Sequence, residues 1–169
     1  LRGCLLSVTI LNMKRPNRSV LRRLPQSVYI FWSYLIKRGK PLLASYKLTY
    51  RCNLRCRQCP FYTMQNEETT YEQACRIIDR LYDRGNRLLM FEGGEPMLWR
   101  DRDYRVHDLV DYAHRRFFSV GMTTNGTQPL DVATDVLWVS VDGLRETHNA
   151  LRGAPVFDRI MANVRASRH

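Results

Sequence analysis

The hydrophobic positions of this chain change their period near residue 42. Before it, Val20, Leu21, Leu24, Val28, Phe31 and Leu35 recur at helical spacing, interrupted at Pro25. Proline suits a first helical turn, so the spacing predicts an amphipathic helix from about Pro25 to Arg38. The apolar run "QSVYIFWSYLI" (26–36) is far shorter than the ~20 residues a membrane-spanning helix needs. Its apolar face is expected to pack within the protein, capping a barrel end, in preference to touching a membrane interface.

From Leu42 onward, strand and helix alternate. "LLASYKLTY" (42–50) is β-rich and leads into a group of cysteines. Thr69-x-x-Glu72 is a capping-box pattern that predicts a helix start, with Ala74, Ile77, Ile78, Leu81 and Tyr82 as its apolar stripe and Gly85 as its stop. Cys75 falls inside this helix and reads as a structural thiol. "RLLMFEGG" (87–94) is a second strand. Val106, Leu109, Val110, Ala113 and Phe117 mark the next helix, "FFSVGMTTNG" (117–126) a third strand and "VLWVSVDG" (136–143) a fourth. "TQPLDVATD", between the last two strands, is poor in helical periodicity. Phe157, Ile160, Met161 and Val164 mark a last amphipathic helix. Four strands with crossovers imply a parallel sheet, and glycine and polar motifs close each strand at the edge where parallel α/β folds bind ligands.

Composition sharpens this reading. The 169 residues are 44% hydrophobic, enough for one domain with a real core. The net charge of +11 is unevenly placed. Residues 1–66 carry all of their 13 charges as Lys or Arg, whereas residues 67–169 carry 14 basic and 16 acidic residues. Such a basic segment suits an anionic membrane surface, a nucleic acid or simple solvation. Leu1 at the start, and His169 directly after a helical pattern, predict a piece of a longer protein. Met13 is a plausible original start, and the residues before it lack the features of an export signal. The expected domains are a basic N-terminal segment with an amphipathic helix (1–41) and an incomplete core domain (42–169).

The most specific signal is "CNLRCRQC". Cys52, Cys56 and Cys59 are spaced C-x3-C-x2-C, and five cysteines in all make a poor disulfide framework. Soft thiolates at this spacing suit zinc or an iron–sulfur centre in a reducing compartment. Structural zinc takes four protein ligands, and neither Cys4 nor the scattered His107, His114, His148 and His169 supplies an evident fourth. Two alternatives stand beside an iron–sulfur centre: a zinc-binding nucleic-acid module and a thiol redox protein built on Cys56 and Cys59.

The triad resembles the C-x3-C-x2-C motif of the radical S-adenosylmethionine (radical SAM) enzymes. "FEGGEP" (91–96), "TTNG" (123–126), "SVDG" (140–143) and "HNALRG" (148–153) are similar to that family's later motifs, in order and at strand ends. The resemblance spans about 42–165 and implies a partial (β/α) TIM-like barrel of parallel strands, truncated after the fourth. It further implies a [4Fe-4S] cluster on Cys52, Cys56 and Cys59, with one iron open to S-adenosylmethionine. Reductive cleavage of that cosubstrate would give methionine and a 5′-deoxyadenosyl radical, which takes hydrogen from an unknown substrate. Gly93 and Gly94 are then expected to let backbone approach S-adenosylmethionine, Glu95 to face its ammonium group, and Ser140 to hydrogen-bond it. Thr124 and Asn125 are expected to touch cosubstrate or substrate, beside the plainer reading of an Asn-Gly turn. His148 is expected to be a structural hydrogen-bonder. Where many relatives carry an aromatic before the third cysteine, this chain has Gln58, leaving Phe61 or Tyr62 as substitutes. An electron donor such as flavodoxin or ferredoxin is expected with the cluster, the reducing environment the cysteines need places the chain in the cytoplasm, and a nucleic-acid partner is not the expected one. The apolar fourth strand, "VLWVSV", is expected to present an unpaired edge with Leu137 or Val139 exposed.

Overall fold

The structure is a computed structural model that describes residues 6–11, 20–35, 41–64 and 67–167. The readings placed on Cys4, Met13, His169 and the Lys37–Lys40 basic cluster lie outside the described residues.

Its centre is a five-stranded sheet. Strand β1 (Leu6–Leu11) and helix α1 (Val20–Leu35) precede β2 (Leu43–Thr49), α2 (Tyr71–Asp83) and β3 (Leu88–Gly93). A short hairpin, β4 (Arg100–Asp101) with β5 (Tyr104–Arg105), leads to α3 (Val106–His114), β6 (Ser119–Thr124) and β7 (Val136–Val141). Helices α4 (Arg145–Arg152) and α5 (Phe157–Ala166) follow. The sheet order is β1-β7-β6-β3-β2, with β2, β3, β6 and β7 mutually parallel. Each of these four lies beside its successor, as right-handed crossovers that step in one direction require. That is the expected partial barrel.

Alternation assigns the two faces. Tyr46 and Leu48 of β2, Leu89 and Phe91 of β3, Val120 and Met122 of β6, and Leu137 and Val139 of β7 are buried in one core. Ala74 and Ile78 of α2, Leu109, Val110 and Ala113 of α3, and Ile160 of α5 complete it. Each fully buried side chain of this size stabilises the fold by roughly 1.5–3 kcal/mol. The opposite register mixes polar and apolar residues, and there Ser45 and Lys47 of β2 both reach the Glu92 carboxylate, at 2.5 and 3.4 Å. Cys75 packs partly buried against the core, in line with its reading as a structural thiol.

Several expectations need correction. The capping box of α2 is Thr70 with Gln73, one residue beyond the expected pair. Both pairs fit the pattern, but the Thr69 carbonyl accepts from Trp99 Nε1 at 3.0 Å and so stays outside the helix. "HNALR" is helical, ended by Gly153 at φ +69°. The edge of β7 is not open: β1 pairs antiparallel along all of it, Leu6 opposite Val141 and Leu11 opposite Val136. Leu137 and Val139 are fully buried. Helix α1 begins before Pro25 and keeps it inside. Its expected internal packing is not seen among the described residues: Val28, Phe31, Trp32 and Leu35 are each half exposed or more. Its Tyr29 docks, with the Arg87 guanidinium 4.2 Å from the ring centre.

Candidate functional site

Strand β2 ends at Thr49 and delivers the chain to the cysteine loop at the C-terminal edge of the sheet. The end of β3 is laced to the start of that loop, with Gly94 N donating to Thr49 O and Glu95 N to Arg51 O, both at 2.8 Å. A register shift at Thr49 opposite Gly93 brings the two backbones unusually close. A side chain at either glycine would collide with backbone: a Cβ at Gly94 would lie 2.7 Å from Tyr50 O, and one at Gly93 against Thr49 O. Gly93 also sits at φ +131°, where a side chain is strained. The glycines are thus needed by the cysteine loop itself, a reason the sequence did not reveal.

Within the loop, Leu54 is buried as an anchor, and Cys59 N donates to Cys56 O at 3.2 Å, forming the turn between the last two cysteines. Cys56 is buried, and Cys52 and Cys59 are half-buried; all three are free thiols. Burial pushes the Cys52 thiol up, and the Asn125 side chain, whose Nδ2 lies 3.7 Å from Cys52 Sγ, partly offsets this. Among the described residues, no three His, Cys, Asp or Glu side chains gather closely enough to hold one metal ion. A mononuclear zinc site would need every ligand about 2.0–2.3 Å from a single point. A four-iron cluster seats each thiolate on its own iron, so its ligands need no common point, and an all-cysteine donor set from one loop suits it.

A cleft of about 310 Å³ opens beside the loop. Cys56, Cys59, Gly93, Gly94, Thr124, Asn125 and Ser140 all line it, together with Gln58 and Phe61. Phe61 therefore takes a place at the cleft wall, whereas Tyr62 and Cys52 border a larger neighbouring cleft of about 920 Å³. The TIM-like strand ends thus bring together the cysteines and the glycine, asparagine and serine positions singled out from sequence.

Glu95 is set apart from this wall. It is fully buried, and its oxygens accept from Thr124 Oγ1 at 2.8 Å, Asn125 N at 2.6 Å and Met97 N at 3.1 Å. Burial pushes its carboxyl up; these three donors and the more distant Arg152 cation hold the rise back. Asn125 Oδ1 in turn accepts from Thr127 N and Oγ1, at 2.9 and 2.7 Å, and its Nδ2 reaches Asn53 Oδ1 at 2.9 Å. The "TTNG" segment is therefore a buried, internally bonded turn tied to both β3 and the cysteine loop. His148 is buried, and its Nδ1 accepts from Asp142 N at 3.2 Å. Its pKa is lowered by burial first and by Arg152 second, so it is a neutral structural acceptor. The reading of sequence missed Arg152, which lines the cleft, pairs with Asp142 and contacts Cys56. Its sequence signal is its place in "HNALRG", a stretch whose resemblance attaches no role to the arginine.

Comparison with known proteins agrees with this arrangement. Residues 46–169 match the Radical SAM superfamily. The chain is 31% identical over 128 residues to the Fe-coproporphyrin III synthase of Methanosarcina barkeri, covering 69% of this chain and 31% of that protein. It is 29% identical over 127 residues to the antilisterial bacteriocin subtilosin biosynthesis protein AlbA of Bacillus subtilis, covering 67% of this chain and 27% of that one. The crystal structure of Streptococcus suis SuiB bound to precursor peptide SuiA superposes with a TM-score of 0.58 at 17% identity, over 92% of this chain and 37% of SuiB. The chain thus spans about a third of the length of the curated relatives it matches. It belongs to the Radical SAM superfamily, enzymes that work with a [4Fe-4S] cluster and S-adenosylmethionine.

Proposed function

We propose that this chain is the cluster-bearing part of a radical SAM enzyme that abstracts a hydrogen atom from its substrate. One observation carries the reading: a single loop at the C-terminal edge of four parallel strands holds Cys52, Cys56 and Cys59, beside a cleft walled by Gly93, Gly94, Asn125 and Ser140. The three thiolates hold the cluster, and bound S-adenosylmethionine supplies, on one-electron reduction, the radical that attacks the substrate. The polypeptide positions and encloses. Gly93 and Gly94 keep β3 close against the loop, and their backbone forms cleft wall where cosubstrate lies. Ser140 and Asn125 offer polar groups from the neighbouring strand ends. Glu95 acts beneath them, bonding Thr124 and Asn125 and so holding those ends in register. Residues 42–169 form the incomplete core domain, and the basic segment 1–41 adds β1 to its sheet along β7. A one-electron donor such as flavodoxin or ferredoxin completes the system.

The test is anaerobic reconstitution with iron and sulfide. The expected product carries about four irons and an optical and EPR signature of a [4Fe-4S] cluster, which changes on adding S-adenosylmethionine. Replacing all three cysteines with alanine should abolish iron binding; full retention of iron in that variant rejects the assignment.

A further inference from the structure

Helix α4 carries most of the "HNALRG" stretch, and its last turn meets the cysteine loop at three points. Arg57 N donates to Leu151 O at 3.0 Å. Gly153, at φ +69°, lies so close that a Cβ there would be 3.1 Å from Arg55 O. Between them, Arg152 Nη1 points at Cys56 Sγ from 3.7 Å. Residues 55, 56 and 57 are thus each met by one of residues 153, 152 and 151.

The Arg152 side chain is enclosed. Arg152 is 8% exposed, Cys56 6% and Asp142 6%. Asp142, just beyond the end of β7, lies 2.6 Å from Arg152 Nε. The contact is a close ion pair without hydrogen-bond geometry, so Asp142 holds the guanidinium beside Cys56 by charge. A buried cation with one carboxylate partner and one sulfur neighbour is a costly arrangement to maintain for packing alone.

We propose that the end of α4 clamps the cysteine loop, and that Arg152, held by Asp142, is a positioning residue that sets the charge felt at Cys56 and through it the ease of reducing the cluster. The inference rests on the cysteine triad holding a cluster. Reduction adds negative charge to a centre already surrounded by thiolates. A fixed cation at a ligand sulfur favours the reduced state, and a carboxylate behind it opposes this. The Asp142–Arg152 pair therefore sets a balance in which each member has its own sign.

The signs make the test. In the anaerobically reconstituted protein, Arg152→Met should make reduction harder, raising the oxidised-to-reduced ratio about tenfold at a fixed poise, a shift of about 59 mV. Asp142→Asn should move the ratio the opposite way, and Arg152→Lys should stay within about threefold of the parent. An unmoved potential in Arg152→Met at full iron content overturns the proposal, as does a shift of the same sign in both variants. If Arg152→Met loses iron, recovery in Arg152→Lys supports the charge role, and loss in both with normal folding overturns it. The clamp has a readout that needs no cluster. Gly153→Ala should speed amide exchange at Arg57 at least tenfold in the metal-free protein, and unchanged exchange there overturns the clamp. Failure of the unaltered protein to form any cluster would instead reject the reading of the triad, with the Arg57 exchange result still standing.

Discussion

A Cβ placed on Gly94 would lie 2.7 Å from the carbonyl carbon of Arg51, one residue before the first cysteine of the triad. No flexible side-chain tip can yield there, because the obstructing atoms are backbone. Sequence reasoning expects Gly94 to let backbone approach S-adenosylmethionine, so a side chain there acts on cosubstrate binding. The geometry puts the cysteine loop first. Gly94→Ala should displace residues 50–52 and lower the iron bound on reconstitution by more than half. Normal iron content with weakened cosubstrate binding would restore the original view.

Glu95 ties β3 to β6 by accepting from Thr124 and Asn125 while also capping its own turn at Met97. Glutamine preserves the shape, but its amide nitrogen cannot accept from a backbone donor. Glu95→Gln should therefore leave at least one buried donor unpaired and destabilise the protein by about 1–3 kcal/mol in denaturant titration. A change below ~0.5 kcal/mol would show that this carboxylate does not bolt the strands together.

His148 gives a pH-dependent signature. Its pKa in the fold is depressed by burial, from an unfolded value of about 6.5. The unfolded chain then binds the proton more readily than the native one, so the stabilising contribution is complete above about pH 6.5 and is lost as pH falls through the folded value. His148→Asn, whose Oδ1 can replace Nδ1 as acceptor for Asp142 N, should flatten the decline in melting temperature between pH 7 and 5. Parallel pH profiles for parent and variant would rule His148 out as its source.

Val28, Phe31, Trp32 and Leu35 form an exposed stripe at i, i+3, i+4 and i+7 on α1. Contiguous apolar surface of this kind promotes association. Replacing Phe31 and Trp32 together with Ser should reduce self-association of the isolated chain in sedimentation velocity. Equal association in parent and variant would locate the sticky surface elsewhere.

The sequence made the four parallel strands and the cysteine loop readable because each rests on local information. Apolar runs ending in glycine mark the strands, and three soft ligands within eight positions mark the loop. What stayed hidden depends on distance along the chain. Nothing near Gly94 announces that Arg51 will press against it. Nothing in "LSVTIL" says that it will pair with a strand formed from residues 136–141. Arg152 looks like any basic helix-end residue until β7 brings Asp142 alongside and the loop brings Cys56. The capping box was misplaced by one residue because two overlapping patterns compete, and the Trp99 indole decides between them.

The pairing of β1 with β7 also dictates an order of events. The strands β2, β3, β6 and β7 each pair with the next strand of the parallel sheet, so they can assemble as the ribosome delivers them. Strand β1 precedes these four but must wait for β7, closing a loop that spans most of the chain. Loop-closure entropy grows only slowly with length, so the finished pairing is tolerable, but long-range contacts form late. Until residue 141 has emerged, β1 lacks its partner in the sheet, and a nascent chain stalled before that point would present it to whatever binds extended peptides.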